Sequence, residues 1–542
     1  MKKRLLLALI FSLLVTSSCN ILPKKENDTE STEESTRSRR RKKKKKENKE
    51  NETTESSEVE ETTESEDKEK EVSSDFDFID VTTDYDVLNP EIEFSYQNNY
   101  DKLILNTDKY PKLSKIVDSF NDESKEFILS KVEENGYSYA SNSYDITRAD
   151  NHIFSIMLNK YHYNSSTEST EYELKAITYN SLTTKEIALS DILKDTSYPE
   201  YIFNDSYLSP ITSEVEAVKT KLKSFFENIK DYNYGSFQTD NQIGWSLGYN
   251  GIVIHLYAKN TAGNNQKFSF ELPYSKYPQL YNEKYFKLPK NYAFKADSSG
   301  VVHIDIDNDK HTDDVSVIGK KGDTEETIDS ITSFAINING TETEISSFNN
   351  DSVIGAYNIQ NPTVYVVDDK KFLLFETYYD NDYTALNVID LEYPTSYFRS
   401  YIDEGISFSE LTNFNPKKLK LGKIIQTVST LNAVAEYEIY HDGSLKILDN
   451  YYTVSTDFVL TTKVELPVEV ISEDRKNILE NKNLSTGSVL KPIGTDCENY
   501  TDFRDNDGNI VRIYMQKDAE YDGYKINGMQ MEDVFDGVVF AG

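Results

Sequence analysis

The chain has 542 residues, and its 93 acidic against 59 basic side chains give a formal net charge of −34. A surface this acidic excludes nucleic acid as a partner, because phosphate binding needs basic side chains. The length predicts two or three domains, and the 39 tyrosines favour β-rich structure with polar turns.

The N-terminus has the pattern of an export signal. Lys2–Arg4 is basic, and the apolar run Leu5–Val15 is shorter than the roughly 20 residues that cross a membrane. This pattern predicts a cleaved signal peptide over residues 1–18. The stretch Thr16–Cys19 resembles a bacterial lipobox. The resemblance implies that the sulfur of Cys19 is linked to diacylglycerol, that the acyl chains include palmitate, and that Cys19 becomes the new N-terminus. The alternative is an ordinary secreted protein cut near Ser18.

The lipobox implies a location on the outer face of the cytoplasmic membrane, at the extracellular surface of a Gram-positive bacterium. Two or three acyl chains hold a protein firmly at a membrane, whereas a single chain binds only marginally. No second apolar run in the sequence is long enough to span a bilayer. Since Cys497 is the other cysteine of the chain, no intramolecular disulfide is expected.

Residues 19–87 are predicted to form a disordered tether that is lipid-anchored at its start. They have almost no apolar side chains with which to offset the entropy of the chain. The basic block Arg37–Lys49 has two interpretations, either adhesion to anionic lipid headgroups or wall polymers, or a charged run that is simply hydrated. We expect the tether to hold the folded part away from the bilayer.

Residues 88–290 are predicted to form an α+β domain, in which an antiparallel sheet carries two main helices. Apolar residues recur at helical spacing over 113–128 and over 215–229, and Ser209-Pro210 predicts the start of the second helix. Runs of β-branched and aromatic residues bounded by turn residues predict strands over 152–163, 170–180, 251–258 and 267–275.

Several segments of this domain occur in a family-like order. Tyr110–Ser114 opens the first helix, EYELKAITYNSLTTKEIALSDIL follows, and NGIVIHLYA precedes FSFELPYSKY. Over residues 95–285 they resemble the pair of domains of unknown function in the extracellular part of RsiV-type anti-sigma factors, a pair that also precedes the catalytic domain of some peptidoglycan deacetylases. The resemblance implies a sensing or binding module. It does not carry over lysozyme binding, because Asn164–Thr167 stands where many members have a Gly-x-x-His element.

Residues 291–542 are predicted to be mainly β, as one or two small units. Strand-like runs alternate with turn residues throughout, and the clearest turns are at 441–443 and 507–508.

The strongest motif of the chain is an acidic stretch at residues 304–314, IDIDNDKHTDD. Calcium takes six to eight oxygen ligands, and alternating aspartates supply carboxylates from one side of a tight turn. The spacing resembles the loops of FG-GAP-like and EF-hand-like proteins and predicts a structural calcium site with these ligands: the side chains of Asp305, Asp307, Asp309 and Asp313 and the carbonyl of His311. The alternative is a solvated turn without an ion, since Lys310 holds the usual glycine position and Ser316 replaces the usual glutamate.

No catalytic constellation is evident in the sequence, so the chain is predicted not to be an enzyme. The six histidines lack the spacing of metal ligands, and none adjoins a serine elbow. His162 and His255 lie on predicted strands and project either into a pocket or into solvent; a pocket that joins one of them to carboxylates would favour catalysis. The tyrosine-rich segments, such as 137–144 and 161–163, serve either as sheet filler or as surfaces for proteins and sugars.

Together these features favour a surface lipoprotein that presents a non-catalytic binding or sensing module to a wall-associated protein or glycan, with a calcium-stabilised β scaffold. The sequence leaves the oligomeric state open. Two alternatives remain, an enzyme that modifies or hydrolyses wall polysaccharide and a purely structural envelope protein.

Overall fold

The computed structural model describes residues 76–88, 98–105, 108–134, 138–164, 167–194, 200–233, 242–323, 330–345, 356–379, 383–395, 398–401, 405–408, 414–455, 458–518 and 523–540. Strands dominate this part of the chain. The helices in it are α1 Pro111–Glu134, α2 Leu189–Ile192, α3 Asp205–Leu208, α4 Val215–Glu227 and α5 Met531–Val534, with 3-10 turns at Glu200–Phe203, Ile229–Tyr232, Pro278–Leu280 and Glu283–Tyr285. None of these helices has the length and apolar character needed to cross a bilayer.

The first sheet contains the N-terminal strands in the order β1-β2-β3-β4-β5, antiparallel except for a parallel contact between β2 and β3. Its strands are β1 Val81–Leu88, β2 Asn98–Leu105, β3 Ser138–Ala149, β4 Ile153–Asn164 and β5 Ser169–Asn180. Helix α1 covers one face of this sheet, because its apolar stripe places Leu113 and Val117 in the same core as Ile156 of β4. The helix predicted over 113–128 is therefore present.

The predicted tether boundary at residue 87 is wrong. Strand β1 starts at Val81, and both Ile79 and Val81 are buried in the core of the first sheet. Lys420 of the C-terminal half also donates a hydrogen bond to Asp80 at 3.1 Å. The apolar side chains from Phe76 onward supply this burial, so the folded part already includes residues 76–87. The predicted tether residues 19–75 lie outside the described residues.

A second sheet has the order β6-β7-β8 and consists of β6 Ile243–Leu247, β7 Gly251–Lys259 and β8 Asn265–Pro273. Helix α4 packs its buried face on this sheet, with Leu222 and Phe225 in one core with Leu256 and Phe270. The helix starts at Val215 and not at Ser209-Pro210 as predicted.

The late start of α4 has a local cause. Thr212 forms a backbone bridge with Asn260 just after β7, and its hydroxyl donates to the carbonyl of Lys259 at 2.6 Å. These contacts hold Thr212 against the end of β7, outside the helix. The Asn204 side chain caps α3 instead, and Pro210 lies in the turn that follows α3.

The C-terminal half is mainly β, as predicted, and contains several sheets. One has the order β17-β16-β15-β14-β9 and another the order β10-β11-β12-β13; their strands are β9 Tyr292–Lys295, β10 Val302–Ile304, β11 Asp313–Lys321, β12 Ile331–Ile338, β13 Thr341–Glu344, β14 Asn358–Val367, β15 Lys370–Tyr378, β16 Thr384–Asp390 and β17 Phe398–Ser400.

The remaining strands form a large sheet and a small one. The large sheet contains β18 Ile406–Phe408, β19 Leu419–Gln426, β20 Thr430–Ile439, β21 Leu445–Ile447, β22 Tyr452–Val454, β23 Leu460–Thr462, β24 Leu466–Ile471, β25 Ile478–Leu484, β26 Val489–Thr495, β27 Tyr500–Asp505, β28 Ile510–Tyr514 and β32 Phe535–Asp536. The small sheet contains β29 Gln516–Lys517, β30 Tyr524–Ile526 and β31 Met529–Gln530. The predicted turns at 441–443 and 507–508 are present, with Gly443 and Gly508 at φ +75° and +84°.

The two predicted folded regions share one core. A single cluster of buried apolar side chains joins the first sheet and α1 to strands β14, β15, β19 and β20. The ring of Tyr249 lies at this junction, with its centroid 6.0 Å from Phe78, 6.0 Å from Tyr292 and 5.5 Å from Phe414. Residue 290 therefore does not separate two independent hydrophobic cores.

Candidate functional site: a polar cavity and an acidic loop

The acidic loop connects β10 to β11 and brings three of the predicted ligands together. Carboxylate oxygens of Asp305, Asp307 and Asp313 lie within 4.8 Å of one another, so these three side chains could hold a metal ion. The Asp309 carboxylate is not part of this group of side chains, and the predicted role of the His311 carbonyl stays a prediction. Instead, Asp309 accepts a hydrogen bond from the backbone N–H of His311 at 2.7 Å, which holds the pKa of the Asp309 carboxyl below its usual value.

The loop backbone is arranged around the same carboxylates. The N–H of Asp309 donates to Asp305 Oδ1 at 3.1 Å and to Asp307 Oδ1 at 3.2 Å, and the N–H of Lys310 donates to Asp305 Oδ2 at 2.9 Å. Lys310 adopts the left-handed conformation, with φ +74°, that glycine adopts at no steric cost. The sequence already indicated this unfavourable conformation from the missing glycine.

Two side chains from outside the loop fix its position. Nζ of Lys371, on β15, donates to the carbonyl of Ile306 at 3.1 Å and to Oδ1 of Asn308 at 2.7 Å. Nδ2 of Asn339 donates to Asp313 Oδ1 at 2.7 Å. The loop is therefore pre-shaped by neighbouring strands, and its three clustered carboxylates supply the hard oxygen donors that divalent cations such as calcium and magnesium prefer.

A cavity of about 110 Å³ lies between β3, the β7–β8 hairpin and β9, which links the first and C-terminal halves. Its wall contains Phe294 and Phe414 together with six ionisable side chains: Asp145, His255, Lys267, Glu271, Lys295 and Asp297. At roughly 30 Å³ per water molecule in the liquid, the space suits a few waters or one small ligand group.

The polar lining follows from the alternation of β7 and β8. In this hairpin one set of side chains, which includes Leu256 and Phe270, packs in the core with α4. The opposite face carries the cross-strand pairs Val253–Glu271, His255–Ser269 and Tyr257–Lys267. Because successive side chains of a strand point to opposite faces, the polar residues of FSFELP all turn toward the cavity.

Lys295 is the least neutralised charge in the cavity. Its ammonium has no hydrogen-bond or ion-pair partner among the residues that the structure describes. Burial lowers the pKa of Lys295 to about 8, because a low-dielectric surrounding disfavours the charged form. The neighbouring Lys267 forms an ion pair with Asp145, whose carboxylate also accepts a hydrogen bond from Asn159 at 3.2 Å. Burial, and to a smaller extent the charge of Lys295, nevertheless lower the pKa of Lys267 to about 7.

The two buried acids of the cavity differ in their partners. Burial raises the pKa of Glu271 to about 8, and Nδ2 of Asn250 donates to its carboxyl at 2.8 Å. Glu271 is therefore mostly protonated at neutral pH and adds little negative charge. Burial also raises the pKa of Asp297, whose carboxyl accepts hydrogen bonds from the N–H of Ser299 at 2.9 Å and from the hydroxyl of Tyr207.

His255 is hydrogen-bonded on both sides by hydroxyl groups. Its Nε2 lies 2.8 Å from Ser246 Oγ, and its Nδ1 lies 3.0 Å from Ser269 Oγ. Burial lowers the pKa of His255 to about 3, so the ring is neutral at physiological pH. The cavity thus joins His255 to carboxyl groups, whereas His162 is not among its lining residues and lies on β4, where Nδ1 is 3.5 Å from Glu171.

Apart from His255, the residues of this site were not predicted from the sequence. Lys267, Glu271, Lys295 and Asp297 are separated in the sequence, and none belongs to a recognised motif. The available signal was the presence of ionisable side chains inside strand-like runs with aromatic neighbours, as in KFSFEL and AFKAD. The predicted lipid-modified residue, Cys19, lies outside the described residues.

Comparisons with known proteins give a limited relationship. No protein-family model matches the chain, and no curated protein matches it. Among solved structures, it is similar to a DUF3298 family protein from Pseudomonas aeruginosa PAO1, with 12% identity and a TM-score of 0.26, covering 39% of this chain and 97% of that one. A DUF3298 family member from Bacteroides fragilis is similar with 11% identity and a TM-score of 0.20, covering 38% of this chain and 95% of the other. The relationship is a coarse one, at the level of a domain.

Proposed function

We propose that the chain is a bacterial surface lipoprotein, anchored through acyl chains on Cys19, whose folded part binds a wall-associated protein or glycan without chemical conversion. The proposal includes an RsiV-like α+β module over residues 95–285, with α1 and α4 as its main helices. The lipobox-like segment and the charged residues before 76 support the location. The polar cavity beside β9 supports the binding role.

The observation that carries the binding role is the ammonium of Lys295 in the cavity wall. A partly buried charge without a counter-ion is costly to the fold, and the cavity beside Lys295 is large enough for a small anionic group. A carboxylate or phosphate of the ligand would supply the missing counter-charge. The mostly protonated Glu271 can donate a hydrogen bond to the same group, since a protonated carboxyl is a donor.

This role is tested with the mature chain coupled to beads and incubated with purified cell-wall fragments and with released surface proteins. We expect the wild-type chain to retain one of these materials and Lys295→Met to lose it. A matched control is Lys125→Met, because Lys125 is exposed on α1 and does not line the cavity. Equal retention by wild type and Lys295→Met contradicts the binding role, and an unmodified Cys19 thiol in the intact mass of the native product contradicts the anchor.

The acidic loop has a structural part in this proposal. We infer that Asp305, Asp307 and Asp313 bind calcium, with Asp309 and the His311 carbonyl available to complete the oxygen shell after a local rearrangement. The support is the clustering of three carboxylates on a loop whose backbone is already tied to them. Calcium there would tie the end of β10 to the start of β11, while Lys371 separately ties the loop between them to β15.

One observation favours an enzyme as the second candidate. Ser269 lines the cavity with its Oγ 3.0 Å from Nδ1 of His255, which is the contact between a nucleophile and its base. A conjugate-acid pKa of about 3 makes His255 a weak base, however, because efficient general bases titrate near the working pH. Release of soluble products from purified wall by the wild-type chain, and its loss in Ser269→Ala, would establish the enzyme and displace the non-catalytic role.

A further inference from the structure

Four tyrosines form a continuous row across the first two sheets. This tyrosine strip consists of Tyr139 on β3, Tyr161 on β4, Tyr172 on β5 and Tyr257 on β7. The centroids of successive rings are 5.8, 5.4 and 4.3 Å apart. All four side chains are half-buried, so each ring keeps part of its surface open to solvent.

The strip lies on the face of the first sheet that α1 leaves open. On β4, Lys160 points to α1 and pairs with Glu123 of that helix at 2.7 Å. The adjacent Tyr161 must therefore point to the other face, because side chains alternate along a strand. Asn159 shares the face of Tyr161, and its Nδ2 donates to Asp145 at 3.2 Å.

The same row ends at the rim of the polar cavity. Tyr257 is the direct cross-strand partner of Lys267, which lines the cavity and pairs with Asp145. Tyr257 and Tyr172 are the two rings nearest to each other, with planes inclined by only 34°. A ligand group that enters the cavity can therefore continue outward over these two rings and then over Tyr161.

We propose, resting on the binding function above, that the ligand is an acidic saccharide, with a carboxylate seated beside Lys295 and its sugar rings laid along the tyrosine strip. The C–H groups on one face of a sugar ring carry partial positive charge and pack against the electron-rich face of an aromatic ring. The phenolic hydroxyls then provide hydrogen bonds to sugar hydroxyls. Successive ring planes are inclined by 60°, 62° and 34°, so the row offers ring edges and ring faces in turn to a hydroxylated chain that carries a negative charge at one point.

The geometry favours a saccharide over an acidic peptide. A peptide in extended form usually adds to an exposed strand edge, where backbone N–H and C=O groups supply the affinity. Here the row crosses β3, β4 and β5, which are paired with one another, so the sheet face offers rings and side chains rather than free backbone groups. Within β3 and β4 a peptide therefore finds no free strand edge among the described residues, and in this sheet only the outer edge of β5 meets the tyrosine strip.

The test is isothermal calorimetry of the mature chain with three probes: tetragalacturonate, its uncharged methyl ester, and a hexaglutamate peptide. The wild-type chain is expected to bind tetragalacturonate more tightly than the ester. Tyr161→Ala should weaken both saccharides by roughly 3- to 10-fold, the effect of one aromatic contact, without changing their ratio. Lys295→Met should remove the preference for the charged form. Tyr161→Phe, which keeps the ring and loses only the hydroxyl, should weaken both saccharides less than Tyr161→Ala does. Tyr393→Ala, at an exposed tyrosine elsewhere, should bind like wild type.

The outcomes separate this inference from the binding function itself. Absence of tetragalacturonate binding by the wild-type chain, unchanged saccharide affinity in Tyr161→Ala, or hexaglutamate binding as tight as that of the saccharide, overturns the saccharide assignment. If Lys295-dependent retention of wall material persists in that case, the proposed binding function stands with a different ligand. If saccharide affinity does not depend on Tyr161 and wall retention does not depend on Lys295, both the saccharide assignment and the proposed binding function are wrong.

Discussion

Replacing Lys295 with methionine should stabilise the protein while removing its binding activity. Burial lowers the pKa of this lysine from 10.5 to about 8. One pKa unit corresponds to about 1.4 kcal/mol, so the charged ammonium lowers the free energy of unfolding by up to about 3 kcal/mol at neutral pH. Methionine keeps the length and flexibility of the side chain without the charge. We therefore expect Lys295→Met to raise the free energy of unfolding at pH 7 by about 1–3 kcal/mol.

The effect must depend on pH with a definite sign. Below pH 8 the lysine is charged in both the folded and the unfolded chain, and its full cost is present. Between about pH 8 and 10.5 the folded state releases the proton while the unfolded state keeps it, so the stability of the wild type rises toward that of the variant. Above pH 10.5 both states are neutral at this position, and the difference disappears.

The assay is urea unfolding of both proteins at several pH values, followed by intrinsic fluorescence. The difference between the two proteins is taken at each pH, so that the titrations common to both cancel. Lys125→Met serves as the control and should change the free energy of unfolding by less than about 0.5 kcal/mol, as is usual for exposed positions. If Lys295→Met is no more stable than wild type at pH 7, the ammonium is already neutralised and the reasoning is refuted.

Three further predictions concern stability. When calcium is removed with a chelator, the melting temperature of the wild-type chain should fall by roughly 2–5 °C in differential scanning calorimetry, whereas that of Asp307→Ala should not change. An equal response of both proteins would contradict a bound ion. Arg148→Met should lower the free energy of unfolding in urea by about 3–5 kcal/mol, because the fully buried Asp150, 2.8 Å from Nε of Arg148, loses its counter-ion. Adding Asp150→Asn to this variant should restore part of the lost stability, and no restoration would show that the charge is not the cause. Gly251→Ala should cost about 1–3 kcal/mol in the same assay, since the added Cβ would overlap the backbone carbonyl oxygen of Leu272. Gly523→Ala, whose Cβ meets no atom within 4 Å, should be near neutral, and equal effects of the two variants would refute the steric explanation.

Local patterns in the sequence predicted the helices and strands whose position depends on residues within a single segment. The 3.6-residue recurrence of apolar side chains predicts α1 because its stripe is continuous from Leu113 to Ile128 and both residues are buried. Strands β4, β5, β7 and β8 follow from alternation and turn residues. The start of α4 was wrong, since a tertiary contact between Thr212 and the end of β7 overrides the local helix signal of Ser209-Pro210.

The acidic loop could be predicted from local sequence, whereas the polar cavity could not. The acidic loop is local, so its D-x-D spacing predicts the approach of Asp305, Asp307 and Asp313. Asp309 departs from the expected set because its backbone N–H donates to two of those carboxylates, while its own carboxyl accepts from His311. The cavity depends on the docking of β9 against β3 and the β7–β8 hairpin, and no spacing rule within one segment carries that information.

The burial of Tyr249 limits how this gene can be divided. The ring is fully enclosed, and its neighbours include Phe78 near the start of the described chain, Tyr292 just past the middle, and Phe414 well beyond it. A recombinant fragment that ends near residue 290 would expose the Tyr249 ring to solvent on the side that Tyr292 and Phe414 cover. A fragment that starts there would lack Tyr249 itself. Expression trials and domain shuffling should therefore keep residues 76–540 together as a single folding unit.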